Sequence, residues 1–196
     1  MYGIYEDGQV IAQFVVPLKF TTNEPEFVSD ALSLGRTVTR RTNQRWEIET
    51  RLDPQSYDAN DLFVLLVTHG HHEPVEIVVP QNIGVIRKRT STLTPKATGA
   101  KGATVVNITG NNGLIPKGTL CRFSNHSKIY MVKKNRQNDG ALEIYPELRM
   151  AVADHDMPHL DDVRMLALFD TDTIRGMAFE DGVLQDVGTV KLIEKV

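Results

Sequence analysis

The densest group of histidines in the sequence lies in "HGHHEP", which contains His69, His71, His72 and Glu73. A zinc site needs ligands that converge on one point in a tetrahedral arrangement. His69 is expected at the end of a helix, and His71 and His72 then point apart in an extended segment. The spacing therefore favours a histidine that interacts with the last carbonyls of a helix over a metal site.

A second group of imidazole and carboxylate side chains occupies "DHDMPHLDD", residues 154–162. Such side chains could ligate a divalent cation, but their spacing matches no catalytic metal motif. An acidic, proline-containing linker between two domains explains the segment as well. We therefore predict no metal ion and no cofactor, with the linker as the favoured interpretation.

The sequence contains no recognisable catalytic nucleophile. Cys121 is the single cysteine, which excludes an internal disulfide and a cysteine-based zinc site, and it is expected to pack as a small apolar residue. Glu47 and Glu49 alternate with Arg45 and Arg51, so cross-strand ion pairs are their ordinary role. No G-x-S-x-G, P-loop or dinucleotide fingerprint occurs. We predict no catalytic residue and no enzymatic activity.

Two basic runs, "RKR" at 87–89 and "KKNR" at 133–136, are the remaining candidates for a binding site. If both line one groove of a small barrel, with Tyr130 or Phe123 as a stacking face, the groove could bind an oligosaccharide or single-stranded nucleic acid. The alternative is a solvated surface, with Phe123, Ile129 and Met131 needed for the core. The candidate ligand-binding residues are Arg87, Arg89, Tyr130, Lys133 and Arg136.

Composition limits the class of protein. The 196 residues are 41% hydrophobic and 24% charged, which is ordinary for a globular protein, and no apolar run approaches the roughly 20 residues that span a bilayer. The net charge of −3 makes nucleic acid an unlikely main partner. No secretory signal is recognised at the amino end, so we expect synthesis in a reducing cytoplasm and no membrane association.

The elements that must position these residues are mostly strands. In "QRWEIETRL" the residues Trp46, Ile48, Thr50 and Leu52 share one face, which is the period of two of a half-buried strand. The preceding "ALSLGRTVTRR" is also extended and is expected to pair with it through "TNQ". A helix is predicted to start at Asp53-Pro54 and to end near Gly70, followed by a strand in "PVEIVVP".

The middle of the chain predicts a small barrel. Five short strands are expected, and residues 92–104 between the first two read as a long loop. Asp139-Gly140 predicts a tight turn with positive φ at both residues, and the strand after it ends at Tyr145-Pro146. An OB-like barrel and a small sandwich remain open from the strand count alone. The five segments are "IGVIRKRT", "ATVVNIT", "TLCRFS", "KIYMVKK" and "ALEIY".

The carboxyl-terminal part returns to strands in "DVRMLALF", "TIRGMAF" and "VGTVKLIEKV". A first β-rich block that lacks partners, a small barrel, and a second β block together indicate one domain inserted into a loop of another. We predict a mainly β protein. Residues 1–82 and 160–196 form a β-sandwich domain with one α-helix, and residues 83–159 form an inserted, small, OB-like β-barrel.

Three segments, "CRFSNHSKIYMV", "DGALEIYPELRMAV" and "VGTVKLIEKV", resemble the barrel and carboxyl-terminal parts of phage tail-tip proteins. The family is the distal tail protein of long-tailed siphophages, of the T-odd coliphage type with an OB-fold insertion. The stretch "LGRTVTRRTNQRWEIETRLDP" is similar to the amino-terminal strand pair of that family. The likeness covers most of the chain and depends on the order and spacing of short structural motifs.

This resemblance implies a structural protein of the virion. Such proteins form hexameric rings at the end of the tail tube, and their inserted barrels project outward. The implied partners are copies of the chain itself, the tail tube protein, hub or baseplate proteins and tail fibre proteins, with carbohydrate as a candidate ligand of the barrel. The alternative function is an OB-fold module that binds host-surface oligosaccharide or single-stranded nucleic acid.

Overall fold

The computed structural model describes residues 2–6, 8–30, 36–40, 43–53, 59–69, 71–91, 95–170, 178–181, 183–186 and 188–195. Strands dominate the described residues and two helices accompany them, so the predicted mainly β fold with a helix is confirmed. No described helix has the length and apolar character that crossing a membrane requires.

One closed sheet is built from both ends of the chain. Its order around the barrel is β1, β2, β5, β19, β16 and β6, and β6 pairs back with β1. All of the pairings are antiparallel, and β16 and β19, from the carboxyl-terminal part of the chain, lie between β5 and β6. The strands are β1 (Gly3–Glu6), β2 (Gln9–Asn23), β5 (Arg45–Leu52), β6 (Val75–Val78), β16 (Arg164–Phe169) and β19 (Thr189–Glu194).

The core of this barrel follows the period of two in its strands. Trp46, Ile48, Thr50 and Leu52 are at most 5% exposed, which confirms the face predicted for β5. Helix α1 (Ala59–His69) adds Leu65 and Leu66 to the same core. Other inward-facing members come from β1, β6, β16 and β19: Ile4, Ile77, Met165, Ala167, Phe169, Val190 and Leu192.

The middle of the chain forms a second sheet with a core of its own. Its order is β14, β7, β8, β13, β11, β10 and β15. Ile108, Phe123, Tyr130, Leu142 and Ile144 are fully buried in that core. The strands are β7 (Lys96–Gly99), β8 (Val105–Thr109), β10 (Leu120–Phe123), β11 (Ile129–Val132), β13 (Gly140–Tyr145), β14 (Val152–Asp156) and β15 (Pro158–His159).

Shorter elements complete the fold. Three two-stranded sheets pair β3 with β4, β9 with β12, and β17 with β18. Their bounds are β3 (Glu26–Asp30), β4 (Arg36–Arg40), β9 (Leu114–Ile115), β12 (Arg136–Gln137), β17 (Ala178–Glu180) and β18 (Val183–Asp186). The helix start predicted at Asp53-Pro54 and the end predicted near Gly70 stay predictions, because Pro54 and Gly70 lie outside the described residues.

Two predictions about pairing and helix content are wrong. Strand β4 pairs with β3, not with β5, because both edges of β5 are taken by β2 and β19 in the closed sheet. The segment "IGVIRKRT" contains helix α2 (Ile83–Lys88) in place of a strand. Its start is fixed by the side chain of Asn82, which accepts a hydrogen bond from the Gly84 N–H at 2.8 Å.

The predicted loop at 92–104 and the predicted turn at Asp139-Gly140 also need correction. Strand β7 lies within the loop region. The positive φ angles fall on Asn138 (56°) and Gly140 (120°), not on Asp139. The Asp139 carboxylate instead accepts the Asn111 N–H at 2.6 Å and so ties this turn to a neighbouring loop. The strand after the turn ends at Tyr145, as predicted.

The two cores meet at Trp46. Its ring stacks on Phe20 at 4.8 Å between centroids and meets the ring of Tyr145 edge-on at 6.2 Å. Its indole N–H donates to the Ile129 carbonyl at 2.9 Å. Ile129 belongs to the central sheet, and its side chain packs into the core of the closed barrel. The two sheets therefore share one continuous apolar contact.

We expect Trp46→Phe to lower stability by about 1–3 kcal/mol, because the aromatic packing is largely kept while the buried Ile129 carbonyl loses its donor. Denaturant unfolding followed by circular dichroism measures the change. Phe20→Leu is the control for altered ring packing without loss of a hydrogen bond. An unchanged unfolding midpoint in Trp46→Phe would contradict the role given to the indole N–H.

Candidate functional site

The five candidate ligand-binding residues do not form one exposed surface. Arg87 on α2 and Lys133 after β11 are exposed. Arg136 is partly buried and donates from Nε to the Asn138 carbonyl at 3.3 Å. Arg89 donates to the Leu160 carbonyl at 2.7 Å and pairs with Asp161, so its guanidinium is held by the protein itself. Ligand binding by the exposed cations stays a prediction.

Tyr130 and Phe123 cannot serve as stacking faces, which corrects that part of the prediction. Both side chains are 0% exposed, and their rings pack together at 5.4 Å. The Tyr130 hydroxyl accepts the Arg149 N–H at 3.0 Å and lies 2.7 Å from His126 Nε2. Burial raises the pKa of the Tyr130 hydroxyl. Two adjacent residues of this short strand are both buried, Ile129 in the core of the closed barrel and Tyr130 in the core of the central sheet. Alternation along the strand therefore does not identify an exposed face.

Members of the histidine cluster and of the acidic cluster make structural contacts with the backbone. His71 Nδ1 lies 3.1 Å from the Phe169 carbonyl, and His69 occupies the end of α1 as predicted. Residues 152–156 and 158–159 are strands, so "DHDMPHLDD" is not a simple linker. Asp156 is buried and accepts the Ala153 N–H at 2.8 Å. Within the described residues, no three His, Cys, Asp or Glu side chains are grouped to hold a metal ion.

The remaining reactive residue types are also used structurally. Cys121 is 0% exposed, and burial raises the pKa of its thiol to about 12, so it packs as an apolar residue as predicted. Glu49 pairs with Lys19 at 3.4 Å across β2 and β5. Glu47 lies 3.5 Å from Arg45 and 3.8 Å from Lys191. The cross-strand ion pairing predicted for both glutamates is confirmed.

The described residues also contain a buried polar cluster that was not predicted from the sequence. Lys128, just before β11, forms a buried ion pair with Glu194 at the end of β19. The Lys128 ammonium also donates to the Gln44 carbonyl at 2.9 Å and to Gln44 Oε1 at 2.7 Å. Glu194 accepts two backbone N–H groups, from Ile129 at 2.8 Å and from Trp46 at 3.0 Å. We call Lys128, Glu194, Gln44 and their backbone partners the junction network.

Every donor and acceptor of the buried pair is satisfied. The Lys128 ammonium donates to three oxygens, and the Glu194 carboxylate accepts three hydrogen bonds on its two oxygens. Burial lowers the pKa of Lys128 and raises the pKa of Glu194, while their mutual attraction opposes both shifts. A buried ion pair survives only when additional hydrogen bonds complete it, as they do here. The network holds residues 44–46, the central sheet and β19 in one arrangement.

A sequence signal for half of this network was available. Val190, Leu192 and Glu194 share one phase of β19, and all three are buried. A carboxylate on the inward phase of a strand needs a cationic partner. Nothing in the sequence indicates that the partner is Lys128, because the two residues belong to different sheets.

Further hydrogen bonds join the two sheets. The Gln81 side chain donates to the Leu160 carbonyl at 2.6 Å and accepts the Leu120 N–H at 3.2 Å. Arg149 donates to Asn43 Oδ1 at 3.1 Å. The Tyr145 hydroxyl donates to Glu24 Oε1 at 2.5 Å. The contact between the sheets is thus extensive and built largely from polar side chains around an apolar centre.

Comparison with known families identifies the central part of the chain. Residues 87–163 match the family described as "Distal tail protein pb9, B domain". The matched segment contains the central sheet, β7 to β15. The match supports a phage distal tail protein and a structural role in a phage tail. Comparison with curated proteins finds no match.

We expect Lys128→Met and Glu194→Gln each to lower stability by about 3–5 kcal/mol, because each leaves the other member of a buried pair uncompensated. The double variant is expected to cost less than the sum, which a denaturant double-mutant cycle measures. The matched control is the exposed pair Lys134 and Glu143, 2.6 Å apart, where Lys134→Met should cost about 0–1 kcal/mol. Strict additivity at the buried pair would contradict the coupling.

Protonation of His126 should destabilise the fold. Burial lowers the pKa of His126 below its ordinary 6.5, so the unfolded chain binds the proton more readily than the folded chain. Stability is therefore full above the unfolded pKa and decreases as the pH falls below it. Melting temperatures between about pH 7.5 and about pH 5.5 measure the decrease.

The variant His126→Gln should show a smaller decrease in melting temperature over this pH range. His159 retains part of the decrease, because burial and Arg122 lower its pKa as well. His155, whose side chain is 80% exposed, supplies the control His155→Gln, which should behave like the unmodified protein. An unchanged pH dependence in His126→Gln would contradict the assignment.

Proposed function

We propose that this chain, whose residues 87–163 match the B domain of a distal tail protein, is a non-enzymatic ring component at the tip of a phage tail. The ring joins the tail tube to the hub or baseplate and to the tail fibres, and it contains six copies of the chain. The family match is the observation that carries this proposal, since the segment that forms the central sheet matches a domain of a phage tail protein.

We propose that two domains of the chain have different roles. Residues 1–82 and 160–196 form the ring, and residues 83–159 form the inserted OB-fold domain, of the T-odd coliphage type, that projects outward. Two observations support this division. Strand β6 ends at Val78 and its neighbour β16 begins at Arg164. The central sheet lies between these two strands in the sequence, yet they pair directly in the closed sheet. Most of the buried residues of the central sheet also form a core cluster of their own, although Leu120 and Ile129 pack into the core of the closed barrel.

Helix α1 supplies a surface suited to contact between neighbouring copies. Phe63, Val64 and Val67 are 47%, 55% and 53% exposed, whereas Leu65 and Leu66 on the other side are buried. Exposed apolar side chains that are adjacent on a helix mark interaction surfaces more often than isolated ones do. In a ring, one such patch meets a different surface of the next copy, and rotation closes the contacts.

The test is the assembly of the purified protein. Light scattering should show an oligomer, and negative-stain electron microscopy should show a six-fold annulus. Val64→Asp should shift the protein to the monomer without changing its circular dichroism spectrum, because a carboxylate would be buried at the contact. Ile83→Asp on α2, where Ile83 is 63% exposed, is the matched control and should leave the oligomer intact.

A protein that stays monomeric at high micromolar concentration, together with virions that lack the labelled protein at the tail tip, would overturn the proposal. An oligomer that survives Val64→Asp would remove α1 from the contact and leave the ring itself in place.

A further inference from the structure

A cleft of about 560 Å³ opens where the two sheets meet, beside the junction network. Its walls come from the ends of β16 and β19, from residues 43–45 and from Arg149. This volume lies within the roughly 300–1,000 Å³ of typical ligand sites, which often form at domain interfaces. Neither the family match nor the proposed ring assigns a role to this cleft, and the inference below does not depend on either.

The lining of the cleft is positively charged in effect. Its two carboxylates are already neutralised, because Asp170 lies 2.7 Å from the Lys191 ammonium and Glu194 is paired with Lys128. Of the three cations in the lining, Arg149 and Lys195 form no ion pair with a carboxylate of the described residues, whereas Arg45 shares Glu47 with Lys191.

The two guanidinium groups are held in place by neighbouring side chains. Arg149 donates through one nitrogen to Asn43 Oδ1 at 3.1 Å, which leaves other donors of its fork for a ligand. Arg45 Nε lies 3.5 Å from Glu47, whose Oε1 also accepts a hydrogen bond from Asn23 at 2.6 Å. Arginines oriented in this way suit carboxylate groups, which accept paired N–H donors.

The uncharged part of the lining decides what kind of anion fits. Pro25, Leu168 and Ile193 are exposed or half-buried and provide aliphatic surface. Phe169 is only 4% exposed, and among the described lining residues no phenylalanine, tyrosine or tryptophan offers an exposed ring. Single-stranded nucleic acid binds by stacking on such rings, so the lining does not favour it. Aliphatic surface between cations instead suits a chain that alternates acidic and aliphatic side chains.

We propose that this cleft binds an extended acidic segment of a partner polypeptide. Its carboxylates pair with Arg45, Arg149 and Lys195, and its aliphatic side chains pack on Leu168 and Ile193. The junction network forms the floor beneath the segment, because Gln44 and Glu194 belong to both.

The test uses a fluorescently labelled peptide of alternating glutamate and valine, with binding followed by fluorescence anisotropy. Binding should weaken as salt concentration rises. The variant Arg45→Gln/Lys195→Gln should weaken it by about tenfold or more, because it removes two of the charges that pair with the peptide carboxylates. Lys117→Gln/Lys88→Gln removes the same charge from exposed positions outside the cleft and should bind as the unmodified protein does.

A charge-reversal variant keeps the test decisive if Arg45→Gln/Lys195→Gln binds the peptide weakly for a reason other than the lost charges. Arg45→Glu/Lys195→Glu should lose the glutamate peptide and gain a peptide of alternating lysine and valine. The proposal is overturned if the glutamate peptide does not bind, or if it binds both pairs of neutral variants equally. It is also overturned if a sulfated oligosaccharide or an oligothymidine binds more tightly than the peptide at the same residues.

Discussion

The buried ion pair between Lys128 and Glu194 is the constraint on which the arrangement of this molecule depends. It joins a residue before β11 of the central sheet to the last residue of β19 in the closed barrel. Two buried charges are costly, and the cost is met only while both partners and all of their hydrogen bonds are present. A shift of one sheet against the other would separate the two charges and break these hydrogen bonds, so the pair favours the observed arrangement.

Elsewhere in the described residues, the side chains that were candidates for binding or catalysis make structural contacts. Arg89 closes on Asp161, Asp156 binds a backbone amide of its own strand, and Cys121 lies in the second core. The proposed tail role agrees with this use of side chains, because a building component needs defined surfaces more than reactive groups. Specificity in such a protein comes from shape and from the positions of exposed charges.

The sequence predicts local structure here far better than it predicts partners. The alternation in β5 identified its buried face, and a helix was predicted in the segment where α1 (Ala59–His69) lies. Strand β5 was given the wrong neighbour, because a period of two reveals which face is buried but not which strand lies beside it. Helix α2 was missed because a single capping contact from Asn82 outweighed the β-branched residues of the segment. The Lys128 partner of Glu194 was beyond reach, since 66 positions separate the two residues.

The position of β19 has a consequence for biosynthesis. This strand lies between β5 and β16, so the closed sheet contains pairings between residues far apart in the chain. A nascent polypeptide that lacks residues 189–194 exposes two unpaired strand edges, each a template for wrong association. The central sheet, with its shorter-range pairings, is able to form while the ribosome is still elongating the chain. The closed sheet cannot form before residues 189–194 have been synthesised, so the outer surface that depends on it is completed only at that stage of translation.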